Sequence, residues 1–94
     1  MKPKIDGVKV DLDIPDDLLR KIDRILDDLG VIGGCRLVYY IFADHLLYQI
    51  ERTKKGEVGK VAEALKALYS EAYVDRDTHL RALDGVCTVI LERV

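Results

Sequence analysis

The densest group of chemically capable side chains is acidic: Asp11, Asp13, Asp16 and Asp17 fall within the seven residues of "DLDIPDD". A turn after a first strand would bring two of these carboxylates together on a divalent cation, and oxygen donors of this kind suit Mg²⁺ or Mn²⁺. On that alternative reading Asp13, Asp16 and Asp17 hold the metal. The simpler reading is structural, and it implies no catalytic residue, metal or cofactor. Asp11 and Asp13 then face water from a half-buried strand, while Asp16 and Asp17 complement the positive end of a helix.

The remaining candidates read more plainly. His45 and His79 with Cys35 and Cys87 lack the closely spaced pairs of a structural zinc site. A Cys–His nucleophile pair needs a thiol whose pKa its surroundings depress, which spacing does not reveal. His45 reads as a turn residue, His79 as a loop residue, and the two cysteines as small buried side chains, not a disulfide framework. Gly30, Gly33 and Gly34 fit no phosphate-loop pattern and serve a helix cap and a bend. The one basic cluster is "RTKKGEVGK", residues 52–60; Arg52, Lys54 and Lys55, with Lys9, are the candidates for contact with nucleic-acid phosphates. The formal net charge of −2 supplies no general attraction to nucleic acid, and residues 1–47 carry seven basic and nine acidic groups against eight of each in the rest.

These side chains must be positioned by a small number of elements. The 94 residues suit one domain, 1–94, with 1–7 as a flexible N-terminal arm. Val8, Val10, Leu12 and Ile14 alternate with Lys9, Asp11 and Asp13, which predicts a strand that Pro15 ends. From Asp16 the apolar residues Leu18, Leu19, Ile22, Ile25, Leu26 and Leu29 have helical spacing, and Gly30 closes that helix. "RLVYYIF" and "LLYQIERT" read as a strand pair over 36–42 and 46–53 turning at Ala43–His45. The competing helix would be apolar nearly all round, because Leu37, Tyr40, Leu47 and Ile50 lie off its main stripe. Val58, Val61, Ala62, Leu65, Leu68, Tyr69 and Ala72 predict a second amphipathic helix. "VCTVILERV" reads as a closing strand, and "THLRALDG" as an edge strand turning at Asp84-Gly85.

The order βαββαβ predicts an α+β, ferredoxin-like plait: one antiparallel sheet with two helices on one face. Its uncovered face would expose Val38, Tyr40, Phe42, Leu47 and Ile90, an apolar surface that argues for a homodimer interface. The predicted function is a small homodimeric regulatory or assembly module without catalytic activity, acting through its dimer and exposed sheet face. The longest apolar run, "LVYYIFA", is far too short to span a membrane and "MKPKIDG" lacks a signal-peptide core, so a cytoplasmic location is expected. Abundant charge with no Asn, one Gln and one Met suits a thermophile.

Two resemblances accompany this reading. Residues 8–46 resemble the ribbon-helix-helix family of transcription regulators and antitoxins, with "DDLLRKIDRILDDLG" as the first helix and "CRLVYYIFADHLL" as the second. This resemblance implies an intertwined DNA-binding dimer with a C-terminal helix and strand added, and places Lys9, Asp11 and Asp13 at the groove-facing positions. A cytosine amino group is the natural base partner for those aspartates. Gly33-Gly34-Cys35 stands where that family usually begins its second helix with Ser/Thr-Arg-Ser. Over most of its length the chain is also similar to the ferredoxin-like CRISPR-associated nuclease-fold family of spacer acquisition. There "DIPDDLLRKIDRIL" follows the first strand, "RLVYYIF" matches a later one, and Asp13 takes the place of the metal-binding aspartate, so this resemblance implies the alternative function of a metal-dependent nuclease centred on Asp13.

Overall fold

The computed structural model describes residues 1–71 and 74–94 and is mainly helical, at 67% of residues. A short hairpin, β1 (Lys4–Ile5) and β2 (Val8–Lys9), precedes four α-helices: α1 (Asp16–Asp28), α2 (Leu37–Glu51), α3 (Val58–Leu68) and α4 (Arg76–Leu91). Single 3₁₀ turns at Gly33–Arg36 and Lys55–Glu57 lead into α2 and α3. The ferredoxin-like plait is therefore corrected: the only sheet among the described residues is the two-stranded hairpin, and both segments assigned to central and closing strands are helices.

The hairpin turns on Asp6-Gly7, whose φ angles of 50° and 81° are those of a two-residue type I′ loop. Ile5 pairs with Val8 and Lys4 with Lys9, and the last bond of this pairing runs from the Val10 N–H to the Pro3 carbonyl at 2.8 Å. The predicted strand over residues 8–14 continues as a chain without a ladder, anchored where the Ile14 N–H donates to the Met1 carbonyl and the Met1 amino group donates to that of Ile14. Along it Val10 and Leu12 are half-buried and Ile14 is fully buried in the core, while Lys9, Asp11 and Asp13 stay exposed.

Helix α1 begins after Pro15 and buries Leu18, Leu19, Ile22 and Leu26. It ends as its sequence predicts. Gly30 sits at φ +73°, its N–H donates to the Asp27 carbonyl, and the Val31 N–H reaches back to that of Leu26. Buried Val31 and Leu26 supply the apolar contact that accompanies this paired-bond cap. Arg36 then closes over the same end, donating from Nε to the Val31 carbonyl at 2.7 Å and pairing with Asp27. That positive charge offsets the carboxylates placed against the negative end of α1.

Helix α2 replaces the predicted strand pair because its bulky residues reach three different neighbours. The Tyr40 hydroxyl donates to Asp23 Oδ1 on α1 at 2.7 Å, the Tyr39 hydroxyl meets His79 on α4, and Phe42 stacks edge-on against Tyr69 after α3. The aromatic and β-branched content that suggested strands serves a helix surrounded on several sides. Tyr40, Phe42 and Ile90, assigned to a dimer face, are fully buried within the chain's own core, while Val38 and Leu47 are partly buried beside it. Without a broad sheet, the face they were assigned to does not exist.

The correction at the C-terminus is similar. Asp75 caps α4 by accepting the Thr78 N–H at 3.0 Å, and His79, Ala82, Leu83, Val86, Cys87 and Ile90 then line one helical face. Gly85 is no turn residue. A Cβ there would meet Ile25 Cγ2 at 3.0 Å, so the glycine allows α4 to pack closely on α1. Helix α3 ends at Leu68, and the Ala72 included in its predicted stripe lies outside the described residues.

The Tyr40–Asp23 bond carries a pH signature. Burial first, then the carboxylate of Asp23, pushes the Tyr40 phenol up to about 12. An unfolded chain ionises tyrosine near pH ~10. Between these values the unfolded state holds fewer protons than the folded one, so stability falls as pH rises from 10 towards 12. Tyr40→Phe should be less stable at neutral pH and show a shallower alkaline decline, read from urea midpoints at successive pH values.

Candidate functional site

The four carboxylates of the acidic cluster are paired with three cations of the chain. Lys2 Nζ lies 2.8 Å from Asp11 and 3.7 Å from Asp13, the Met1 amino group 3.2 Å from Asp16, and Arg93 2.7 Å from Asp17. The hydrogen bond from Lys2 holds the Asp11 carboxyl below its ordinary range. Asp13, Asp16 and Asp17 therefore each face a cation of the chain, and their ion pairs tie the N-terminal arm and the end of α4 to the start of α1. Among the described residues no three His, Cys, Asp or Glu side chains gather where they could hold a metal ion.

The cysteines and histidines are also separated. Cys87 is buried in α4, and that burial pushes its thiol up, which weakens it as a nucleophile. Cys35 is exposed in the 3₁₀ turn before α2. His79 is fully buried: Nε2 lies 2.5 Å from the Tyr69 carbonyl and Nδ1 2.8 Å from the Tyr39 hydroxyl. A carbonyl only accepts, so Nε2 carries the proton, and in the neutral ring Nδ1 accepts from Tyr39. His45 Nδ1 lies 3.1 Å from the Tyr69 hydroxyl. Both histidines thus fix the segment after α3 against α2 and α4.

The basic candidates sit on two separate segments. Lys9 is on the hairpin; Lys54 and Lys55 are exposed in the turn before α3. Arg52 ends α2, with its guanidinium carbon 3.6 Å from the centre of the Tyr48 ring.

The feature that stands out is an apolar groove of about 730 Å³. Gly34 and Cys35 of the first 3₁₀ turn, Leu37, Val38 and Ile41 of α2, and Leu68, Tyr69 and Glu71 at and beyond the end of α3 line it. Leu37 and Ile41 are 39% and 40% exposed, and Leu68 is 75% exposed. With ~100° of turn per residue, Leu37, Ile41 and Tyr48 lie within about 40° of one another, opposite buried Tyr39. Tyr69 forms part of the wall, packed edge-on against buried Phe42 with ring centroids 5.3 Å apart. Its phenol is raised by burial and then by the charge of Asp44. The lining is thus mainly aliphatic and aromatic, and its one charged member among the described residues, Glu71, is acidic.

Leu37, Ile41, Leu68 and Tyr69 were not among the residues singled out from the sequence as a site. A signal for them was present: a helix over 37–51 would be apolar nearly all round, and such a helix in a small domain presents some of that surface outward. No described helix is long and apolar enough to cross a membrane. Comparison with known proteins gives no matching family model, no matching curated protein and no matching solved structure.

Proposed function

We propose that this chain is a small assembly module that acts through self-association along the exposed side of α2 and its groove, without catalysing a reaction. One observation carries the reading. Leu37, Ile41 and Leu68 remain in water around one groove, although Tyr39, Tyr40, Phe42, Ala43 and Leu46 already fill the core beside them. A contiguous apolar surface of this kind is characteristic of interaction sites. The disposition of the reactive groups supports the same reading: the carboxylates of residues 11–17 are engaged by cations of the chain, and His79 is engaged by Tyr39 and Tyr69.

Light scattering across a concentration series tests it. The wild type should approach twice the chain mass as concentration rises into the micromolar range. Leu68→Asp should hold it at the mass of one chain with an unchanged far-ultraviolet circular dichroism spectrum, because an exposed position changes folding stability by only about 0.5 kcal/mol. A wild type that stays at one chain mass throughout overturns the proposal.

A further inference from the structure

The hairpin beside the groove has the opposite character. Val8 and, just before the 3₁₀ turn, Ile32 are 69% and 73% exposed. Lys4 and Lys9 stand directly opposite each other across the two strands, and neither forms an ion pair among the described residues. Like charges in that position destabilise a two-stranded sheet, and a sheet this short has little pairing to offset the repulsion. Strand β1 packs against the Gly33–Arg36 turn, whose Gly34 and Cys35 form one end of the groove. The hairpin therefore carries exposed Val8 between two lysines and one carboxylate, Asp6 at its turn, a net positive charge, and it adjoins an apolar groove with Glu71 at its edge.

A two-fold interface uses the same patch on both chains, so that patch must complement itself. Adjacent patches of opposite shape and charge satisfy this requirement: rotation about an axis between them places each hairpin on the other chain's groove. We infer that a second copy of this chain docks its hairpin, through Val8 and Lys9, into the groove bounded by Leu68 and Glu71. This assignment rests on the self-association proposed above and names its contacts. The charge pair forms twice in such a dimer, so a modest loss at one contact is squared in the dissociation constant. Val8, Lys9, Leu68 and Glu71 are exposed, so their substitution leaves the core untouched.

Sedimentation equilibrium of the full chain at low ionic strength provides the test, using the wild type, Lys9→Glu, Glu71→Lys, the double variant and Leu68→Asp. Each charge reversal should weaken dimerisation by about tenfold or more, since like charges meet at both contacts. The double variant, with the charges exchanged, should recover most of that loss. If Leu68→Asp abolishes the dimer while both reversals leave its dissociation constant unchanged, the hairpin assignment is overturned and self-association through the groove stands. A wild type that is monomeric at every concentration overturns both.

Discussion

Replacing His79 by alanine should lower the unfolding free energy by about 3–5 kcal/mol, the largest loss from any polar side chain in the protein. The ring is fully buried and joins three segments: its own helix α4, Tyr39 of α2 and the Tyr69 carbonyl just after α3. Alanine leaves the Tyr39 hydroxyl and that carbonyl without the ring, each exposed to a penalty of about 1–3 kcal/mol, and opens a cavity besides. Tyr39→Phe separates the contributions. It keeps the packing and removes only the hydroxyl, so it should cost about 1–3 kcal/mol. Urea unfolding gives both values. The nitrogen chemical shifts of the His79 ring give an independent check, with a protonated Nε2 and an unprotonated Nδ1 expected in the wild type. A protonated Nδ1 in the neutral ring would overturn the assigned hydrogen-bond directions.

The same residue shows how far the sequence could be read. The sequence reads His79 as a loop residue, "VCTVILERV" as a closing strand and Asp84-Gly85 as a turn before it. Periodicity held the better information: His79, Ala82, Leu83, Val86, Cys87 and Ile90 repeat as a helix does, and Asp75 stands at the capping position. The chain has two Asp-Gly pairs, and their flanks separate them. Asp6-Gly7 lies between two short paired segments and makes the turn, whereas Asp84-Gly85 lies inside the helical repeat. Helix α1 was legible because its apolar stripe, acidic first turn and terminal glycine all pointed the same way. Helix α2 was obscured because it contacts neighbours over so much of its surface that its apolar residues mark no single stripe. As for the candidate sites, the sequence displayed the acidic cluster but not its partners. Lys2, the Met1 amino group and Arg93 come from other points of the chain, and only the fold shows that they pair with it. The groove was hidden for a related reason, since Leu68 and Tyr69 join Leu37 and Ile41 only once α3 packs on α2.

Phe42 discriminates most sharply between the expected and observed roles of α2. On an exposed sheet face, Phe42→Ala would mainly weaken a dimer, and its effect would depend on protein concentration. In the core, where Phe42 is fully buried and packed edge-on against Tyr69, it should cost about 3–5 kcal/mol of folding free energy. For a domain whose whole stability is expected to be about 5–15 kcal/mol, that loss leaves little margin. Denaturant unfolding at two widely separated concentrations of the monomeric Leu68→Asp background isolates the effect. The midpoint of Leu68→Asp/Phe42→Ala should fall by the same amount at both concentrations, with little change in slope. Phe42→Leu keeps most of the buried volume and should recover more than half of the loss. A truncation that changed dimerisation but not the folding of this background would return Phe42 to an interface and remove the core on which the groove is built.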